Sequence, residues 1–406
     1  MKTFLLGLQH VFVMAGATIL VPMLTGIPVS VALFTSGFGT LVFHVITKRK
    51  VPVYLGSSFA YISGIIAVTA HYASQGDPTV ALAYATGGVM VAGLVKIGFG
   101  ILAKVIGVQK VLKLFPAYLY GTMIILIGLI LAPVAIDMAS SNWLLAIGTI
   151  GIFMLVALLA RGFLATFPVL IAMFGAYIVA LAFGLVNIQF PEQFMALPPF
   201  VLPRFGWFAI STLVPAALVA AVEHIGDVFA VSEIVGKDFS RDPGLHRTMM
   251  GDGLATSIAG FLGGPANTTY SENTGVLAIT KQFNPLIMEI AAGVAIVLSF
   301  FPQVGAFISA MPSAIMGGVS IVLFGSIASV GMKSLIKNRV SVNKKQLIIM
   351  SVMLVSGIGG ASITIGSFNL SGLGLAAVVG VGLNLLIKDK EAPELVQDVK
   401  KVRQEA

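Results

Sequence analysis

Apolar stretches about twenty residues long follow one another along most of this chain, with short polar segments between them. A helix needs about 20 apolar residues to cross the hydrocarbon core of a bilayer, because each residue adds only about 1.5 Å of length. Only 10% of the 406 residues are charged, whereas a typical soluble domain carries roughly 25%. The pattern therefore predicts an all-α polytopic membrane protein.

The apolar stretches divide into fourteen candidate transmembrane segments. The third and the tenth contain Gly, Ser, Thr or Pro where a regular helix would be expected, so we predict that both are broken. The fourteen segments are residues 4–25, 29–47, 54–72, 80–103, 114–136, 143–160, 163–184, 207–231, 246–263, 268–281, 285–309, 312–332, 346–366 and 371–388.

The loops between these segments differ strongly in charge. If the N-terminus is cytoplasmic, the loops after even-numbered segments carry nearly all the Lys and Arg residues, and the opposite side offers only Arg204. Cytoplasmic loops are enriched in Lys and Arg, so the asymmetry supports fourteen spans with both termini inside. The same asymmetry indicates that the net charge of +8 reflects the orientation of the chain in the membrane rather than nucleic-acid binding.

Weak internal repeats suggest two halves of seven segments each. An odd number of helices per repeat inverts the second copy in the membrane, and inverted repeats place binding sites at paired broken helices. Small residues are also common at membrane helix contacts, and this alternative explains any single repeated motif equally well. In one repeated motif, Pro116 and Gly121 of the fifth segment correspond to Pro312 and Gly317 of the twelfth. In the other, residues 56–59 correspond to residues 267–271.

Two glutamates lie in stretches that are predicted to be buried in the membrane. Glu223 belongs to the eighth segment and Glu272 follows the break in the tenth. A carboxylate near the bilayer centre costs roughly 2.5–3.5 kcal/mol, so such a residue usually faces a cavity, a partner or a substrate. Asp227 shares a helix face with Glu223, and two close carboxylates cannot easily both ionise. The pair is a candidate proton acceptor, with a solvated helix end as the alternative.

The two breaks add hydrogen-bond donors to these acceptors. Backbone amides near Ser58 and Phe59, and at the helix start after residues 263–269, would lack partners in lipid and could bind a polar ligand. A nucleobase such as uracil has the matching alternation of N–H donors and carbonyl acceptors. Four nearby aromatic side chains could stack on a flat ring or serve ordinary packing: Phe59, Tyr61, Tyr270 and Phe324.

Other polar residues in the predicted spans have weaker functional signals. His224 is expected to be a packing or hydrogen-bonding residue, and Asp252 and Glu289 are secondary candidates. No second cluster supplies the ligands of a metal site, and the chain has no cysteine. Without a Walker loop, a nucleophile elbow or an H-E-x-x-H motif, we predict a protein that is not an enzyme and needs no cofactor.

Glu272-Asn273-Thr274-Gly275, followed four residues later by Thr280-Lys281, resembles the signature of the nucleobase–ascorbate transporters, also called the nucleobase:cation symporter family. The stretches QHVFVMAGATILVP, YLGSSFAYIS, VEHIG and RDPGLHR extend the similarity over nearly the whole chain. Within the family the chain is most similar to the bacterial uracil permeases. Glu272 stands where purine-type members tend to have Gln, which favours a pyrimidine.

The resemblance implies a site in which the two glutamates hold the N–H and carbonyl edge of the ring. Backbone amides would contact the ring oxygens, and Glu223 with Asp227 would couple transport to protons. The implied substrate-binding residues are Glu223, Glu272, Phe59, Ser271, Ala17 and Phe324. Three positions depart from some uracil permeases, with Asp227 in place of His, Ser271 in place of Gly and Phe324 in place of Tyr.

The resemblance further implies a division into a core and a gate that move against each other, in a homodimer in the plasma membrane. The core would comprise residues 1–112 and 207–310, the gate 113–186 and 311–388, with a connector at 187–206 and a cytoplasmic tail at 389–406. The expected function is proton-coupled uracil import by alternating access. The alternatives are a purine (xanthine or uric acid) permease or an anion carrier on the same fold, and an intramembrane enzyme or receptor.

Overall fold

The computed structural model describes residues 2–76, 78–107, 110–111, 114–162, 164–337 and 343–387. The predicted tail at 389–406 lies outside the described residues, as do residues 112, 113 and 388 at the predicted domain boundaries. The helices are α1 (Lys2–Thr25), α2 (Val29–Ile46), α3 (Ile62–Ala73), α4 (Pro78–Ile106), α5 (Ala117–Ile130), α6 (Ala132–Ser140), α7 (Trp143–Leu159), α8 (Pro168–Ala182), α9 (Trp207–Val235), α10 (Leu245–Phe261), α11 (Ser271–Thr280), α12 (Leu286–Ser299), α13 (Pro302–Ser309), α14 (Ser313–Lys337), α15 (Lys344–Ile358) and α16 (Gly372–Leu386). The strands are β1 (Leu55–Ser57), β2 (Asn267–Thr269), β3 (Ser362–Ile365) and β4 (Phe368–Ser371).

Six helices in the described part of the chain are long and apolar enough to cross a membrane, and one bent pair raises the number to seven. Four of the other predicted segments contain shorter apolar helices, among them α7 and α8. The structure is thus the mostly helical membrane protein that the sequence predicts, and the count of fourteen spans stays a prediction.

The predicted segments at 285–309 and 346–366 are less regular than expected. The first is two helices, α12 and α13, bent by 85° at their junction. Pro302 begins α13, and the preceding Phe301 is extended, because proline disfavours helical backbone in the residue before it. In the second, α15 ends at Ile358 and the chain continues into strand β3. Two segments beyond the third and the tenth are therefore interrupted as well.

The third and tenth segments are both broken, as predicted, and they meet. In each, a three-residue strand precedes a helical segment, and β1 and β2 pair antiparallel with Gly56 opposite Thr268. Every residue of both strands is buried. The pairing satisfies backbone groups that would otherwise be exposed to an apolar environment. The two breaks consequently form one buried strand crossing, which we define as residues 55–57 with residues 267–269.

Side chains of α2 fix this strand crossing from one side. Thr40 Oγ1 accepts from the backbone N–H of Leu55 at 2.9 Å, and Asn267 Nδ2 donates to the Thr35 carbonyl at 2.9 Å. Tyr270, directly after β2, donates from its hydroxyl to the Ser57 carbonyl at 3.0 Å. Both strands are therefore held in place by hydrogen bonds beyond those of the sheet.

Helices α4 and α10 pack closely beside the strand crossing. A Cβ atom on Gly253 of α10 would meet the backbone of α4 at the Ile97 nitrogen, and one on Gly93 of α4 would meet the Ser257 nitrogen. Small residues allow such backbone approach, which is a common way to associate helices in membranes. The two helices thus form a tight support behind the crossing.

Helix α7 carries an apolar face that the rest of the chain leaves uncovered. Leu144 and Leu158 are 85% and 75% exposed. A surface of this composition is suited to contact with lipid acyl chains. The connector at 187–206 forms neither helix nor strand, and its Arg204 N–H donates to the Ala83 carbonyl at 2.9 Å.

We predict that Gly56→Ala destabilises the protein, because a Cβ at Gly56 would overlap the ring of Tyr270. Overpacking of this kind costs about 1–3 kcal/mol. Gly293→Ala is the matched control, since a Cβ there meets no atom within 4 Å. Thermal unfolding of the purified protein in detergent should show a lower Tm for Gly56→Ala alone. Equal Tm values for the two variants would contradict the close packing of the crossing.

Candidate functional site

Helix α9 brings the predicted acidic residues beside the strand crossing. Glu223 is half-buried and Asp227 is 8% exposed. Their spacing of four residues places both on one helix face. The Oε2 atom of Glu223 is buried and makes no hydrogen bond to the described residues. Glu223 therefore keeps an acceptor that a ligand or a proton can use.

Asp227 has a different setting, because its two carboxylate oxygens are already occupied. Oδ2 accepts a hydrogen bond from Thr269 Oγ1 and Oδ1 accepts one from Ser271 Oγ, both at 2.6 Å. Thr269 ends β2 and Ser271 begins α11. Asp227 thus ties α9 to the point where the tenth segment changes from strand to helix.

A buried ion pair lies behind the acidic face of α9. Lys96 of α4 pairs with Asp252 of α10, and both side chains are completely buried. Nδ1 of His224 lies 3.8 Å from the Asp252 carboxylate, and a ring-to-ring distance of 6.3 Å places Phe43 against the same histidine. His224 is the packing residue that we expected, while Asp252 has a charged partner that sequence reasoning missed. The available signal was Lys96 itself, an isolated lysine within an apolar helix.

The carbonyl oxygen of Asn267 connects this ion pair to the strand crossing. It accepts hydrogen bonds from Thr256 Oγ1 at 2.7 Å and from Lys96 Nζ at 3.2 Å. Asn267 is completely buried. The first residue of β2 is therefore held by donors from both α4 and α10.

Glu272 lies in the first turn of α11 and is exposed. It lines a cavity of about 230 Å³, together with residues of α1 and of the segment before α8. The next residue, Asn273, is buried and donates from Nδ2 to His10 Nδ1 at 2.9 Å. Glu272 directly follows Ser271, whose hydroxyl donates to Asp227 one turn along α9 from Glu223. The start of α11 thus brings the two predicted glutamates to the same part of the fold, although Glu272 also lines its own cavity.

The predicted aromatic residues divide into two groups. The rings of Phe59 and Phe324 meet edge to face, with centroids 6.0 Å apart, and both are buried. Ala17 lies in the same hydrophobic core. Tyr61 is completely buried, and Tyr270 is used in bonding and packing at the strand crossing. Phe59 and Phe324 therefore stay the predicted aromatic contacts of a flat ring.

One predicted donor is already used within the protein. The Ser58 N–H donates to the Ala266 carbonyl at 2.8 Å, so our expectation of a free amide at Ser58 was wrong. The cause is the antiparallel pairing of β1 and β2, which extends by one hydrogen bond beyond the strands. Amides nearer Phe59 and Ser271 remain the candidates for ligand binding.

Glu289 lies outside this group of residues. Its carboxylate accepts from Arg49 Nε and Nη2 at 2.7 and 2.5 Å, and His44 Nδ1 is 3.4 Å away. It is a hydrogen-bond and ion-pair partner of these two residues. Across the residues that the structure describes, no group of three or more His, Asp or Glu side chains is arranged to hold a metal ion.

Tyr120 of α5 is a neighbour of the site that sequence reasoning did not single out. Its hydroxyl lies against Gly226 of α9, hydrogen-bonds to Ser334 of α14 and interacts with the charges of Glu223 and Asp227. A tyrosine in an apolar helix has no distinctive sequence signal. Its position emerges only when α5 packs against α9.

The sequence of this chain is similar to those of known permeases. The profile of the permease family Xan_ur_permease matches residues 1–366. The uracil permease of Bacillus subtilis (strain 168) is 44% identical over 405 residues, covering 94% of this chain and 91% of that protein. The probable uracil permease of Pasteurella multocida (strain Pm70) is 42% identical over 405 residues, covering 97% and 95%.

A solved structure shares the fold at much lower sequence similarity. The transmembrane domain of a cyanobacterium bicarbonate transporter, BicA, superposes with a TM-score of 0.67 over 95% of this chain and 97% of that one. The sequence identity is 17%, so the likeness concerns the fold alone. The chain therefore shares the fold of that transmembrane domain.

We predict that Asp227→Ala lowers the free energy of unfolding more than Asp227→Asn. Alanine leaves the hydroxyls of Thr269 and Ser271 without their acceptor. Thr269 is buried, and a buried unsatisfied group costs about 1–3 kcal/mol. Asparagine keeps one acceptor oxygen. Chemical or thermal unfolding in detergent measures the difference, and equal destabilisation by both variants would show that the two hydrogen bonds are not important for stability.

Proposed function

The chain belongs to the Xan_ur_permease family of permeases and is an integral membrane transporter, and on that premise we propose that it imports uracil together with protons by alternating access. One observation carries the proposal. Glu223 has a buried oxygen that makes no hydrogen bond to the described residues, and it lies one turn from Asp227, which accepts hydrogen bonds from Thr269 and Ser271 at the break of the tenth segment. Broken segments at a midplane site are typical of transporters that bind polar substrates there.

Uracil suits the groups that meet at this place. The ring offers two N–H donors, which the carboxylates of Glu223 and Glu272 can accept, and two carbonyl oxygens, which backbone amides near Phe59 and Ser271 can approach. The edge of Phe324 against Phe59 supplies an apolar side for a flat ring, and Ala17 leaves room beside it. A purine would present a larger ring system, and an anion would be repelled by the two carboxylates.

The proton is proposed to bind at Glu223, with Asp227 as its electrostatic partner. Asp227 receives two hydroxyl donors, which favour its charged form. Glu223 Oε2 receives none from the described residues and feels the negative charge of Asp227. Protonation of Glu223 would relieve that repulsion, so the state of one carboxylate would affect substrate binding.

We infer the surrounding architecture from the same features. Fourteen membrane segments would form two inverted repeats, since the third and tenth both contain a strand followed by a helix, and Pro116 and Pro312 both directly precede a helix. Spans 1–4 and 8–11 would form the core, and spans 5–7 and 12–14 the gate and the homodimer face. Both termini would lie in the cytoplasm, as the basic loops indicate.

We predict that Glu223→Gln and Glu272→Gln each reduce uptake of radiolabelled uracil at least tenfold, because glutamine cannot accept the ring N–H groups as strongly as a carboxylate. Glu233→Gln is the matched control. Glu233 lies on the same helix, is exposed and pairs with Lys337. Undiminished uptake by both site variants would contradict the site, and uptake that xanthine competes for better than uracil would instead identify a purine permease.

We predict that a protonophore abolishes concentrative uracil uptake into cells or proteoliposomes. An imposed inward proton gradient should restore accumulation in vesicles without an added sodium gradient. Uracil accumulation that depends on sodium, or that ignores the proton gradient, would contradict proton coupling. Mass spectrometry of the recovered substrate should show unaltered uracil, whereas a converted product would indicate an enzyme.

A further inference from the structure

The ammonium group of Lys96 is an unexpected feature of the interior. It lies within the 29-residue apolar helix α4, and its side chain has no exposed surface. A lone buried charge costs several kcal/mol, and the cost falls only when an opposite charge and good hydrogen bonds accompany it. Lys96 has Asp252 as its opposite charge, and it has two further acceptors, Thr256 Oγ1 at 3.4 Å and the Asn267 carbonyl at 3.2 Å.

We propose that Lys96 and Thr256 are positioning residues of the transport site, which act by fixing the carbonyl of Asn267 and thereby the place of β2. The proposal rests on the proposed function, since it concerns how the same site is held for its substrate. Neither residue is suggested to touch uracil. Each acts through the strand that precedes the binding residues.

The contacts lead from this anchor to the acidic face in a few steps. Asn267 begins β2 and Thr269 ends it, and a strand rises only about 3.3 Å per residue. Thr269 and Ser271 then donate to the carboxylate of Asp227, one turn along α9 from Glu223. A shift of the Asn267 carbonyl would therefore move the donors of Asp227 and the start of α11, which carries Glu272.

The Asn267 carbonyl has two donors, of which only Lys96 is charged, and this separates positioning from charge neutralisation alone. Thr256 Oγ1 donates to that carbonyl at 2.7 Å and is uncharged, although it also lies 3.4 Å from Lys96 Nζ. If Lys96 served only to neutralise Asp252, removing both charges together would leave the site unchanged. If the carbonyl must be held, loss of either donor should weaken substrate binding in a protein that is still folded.

The test compares uracil dissociation constants of purified variants by titration calorimetry, with Tm and size-exclusion profiles as measures of folding. Lys96→Met/Asp252→Asn removes both charges at similar volume. Thr256→Val removes one hydroxyl and leaves the ion pair. Thr248→Val is the matched control, because Thr248 is a buried threonine of the same helix whose hydroxyl donates only to Leu245 of its own helix, at 3.0 Å.

We expect the Kd for uracil to rise about tenfold in the double variant and several-fold in Thr256→Val, with Thr248→Val close to the parent. Parent-like Kd values in folded Lys96→Met/Asp252→Asn and in Thr256→Val would overturn the proposal. If the double variant fails to fold, the comparison of Thr256→Val with Thr248→Val decides, and equal Kd values overturn it. A parent protein that binds no uracil would instead contradict the proposed function, so the two failures are distinct.

Discussion

The antiparallel pairing of β1 with β2 is the interaction on which the rest of the structure depends. A break in a membrane helix leaves backbone groups that lipid cannot satisfy. Here two breaks satisfy each other, with Leu55 opposite Thr269 and Ser57 opposite Asn267. The Thr35 carbonyl of α2 accepts a hydrogen bond from Asn267, and Lys96 of α4 and Thr256 of α10 donate to the Asn267 carbonyl. These contacts make the crossing a fixed part of the interior.

This constraint explains why the carboxylates near the crossing differ in their hydrogen-bond and ion-pair partners. Asp227 faces the end of β2 and is saturated by two hydroxyl donors. Asp252 is neutralised by Lys96. Glu223, on α9, has a buried oxygen that receives no hydrogen bond from the described residues. The fold thus gives internal partners to Asp227 and Asp252, and the proposed function assigns the remaining oxygen of Glu223 to the proton and the substrate.

Much of the helical fold and of the candidate site could be predicted from local sequence patterns. The long apolar stretches predict the membrane segments, and the glycine, serine and proline residues predict the breaks in the third and tenth. Glu223 and Glu272 are anomalous in such segments, so the sequence alone makes them candidates for the site. Their cost in an apolar environment is a property of the residue and its segment, which a sequence displays directly.

Pairings between distant segments could not be predicted in the same way. Lys96 and Asp252 are 156 positions apart in the sequence, and no local sequence pattern specifies that their side chains form an ion pair. The engagement of the Ser58 amide with Ala266, the bend at Pro302 and the approach of Tyr120 to α9 likewise depend on tertiary packing. Residue types therefore indicate which groups need partners, and only the fold shows which partners they have.

The most direct test of the account is a structure determined with uracil bound. The account predicts the ring beside the crossing of β1 and β2, with its N–H groups toward the carboxylates of Glu223 and Glu272 and its face near Phe59 and Phe324. Uracil bound at another place, with the Glu223 carboxylate out of hydrogen-bond reach, would contradict the central claim.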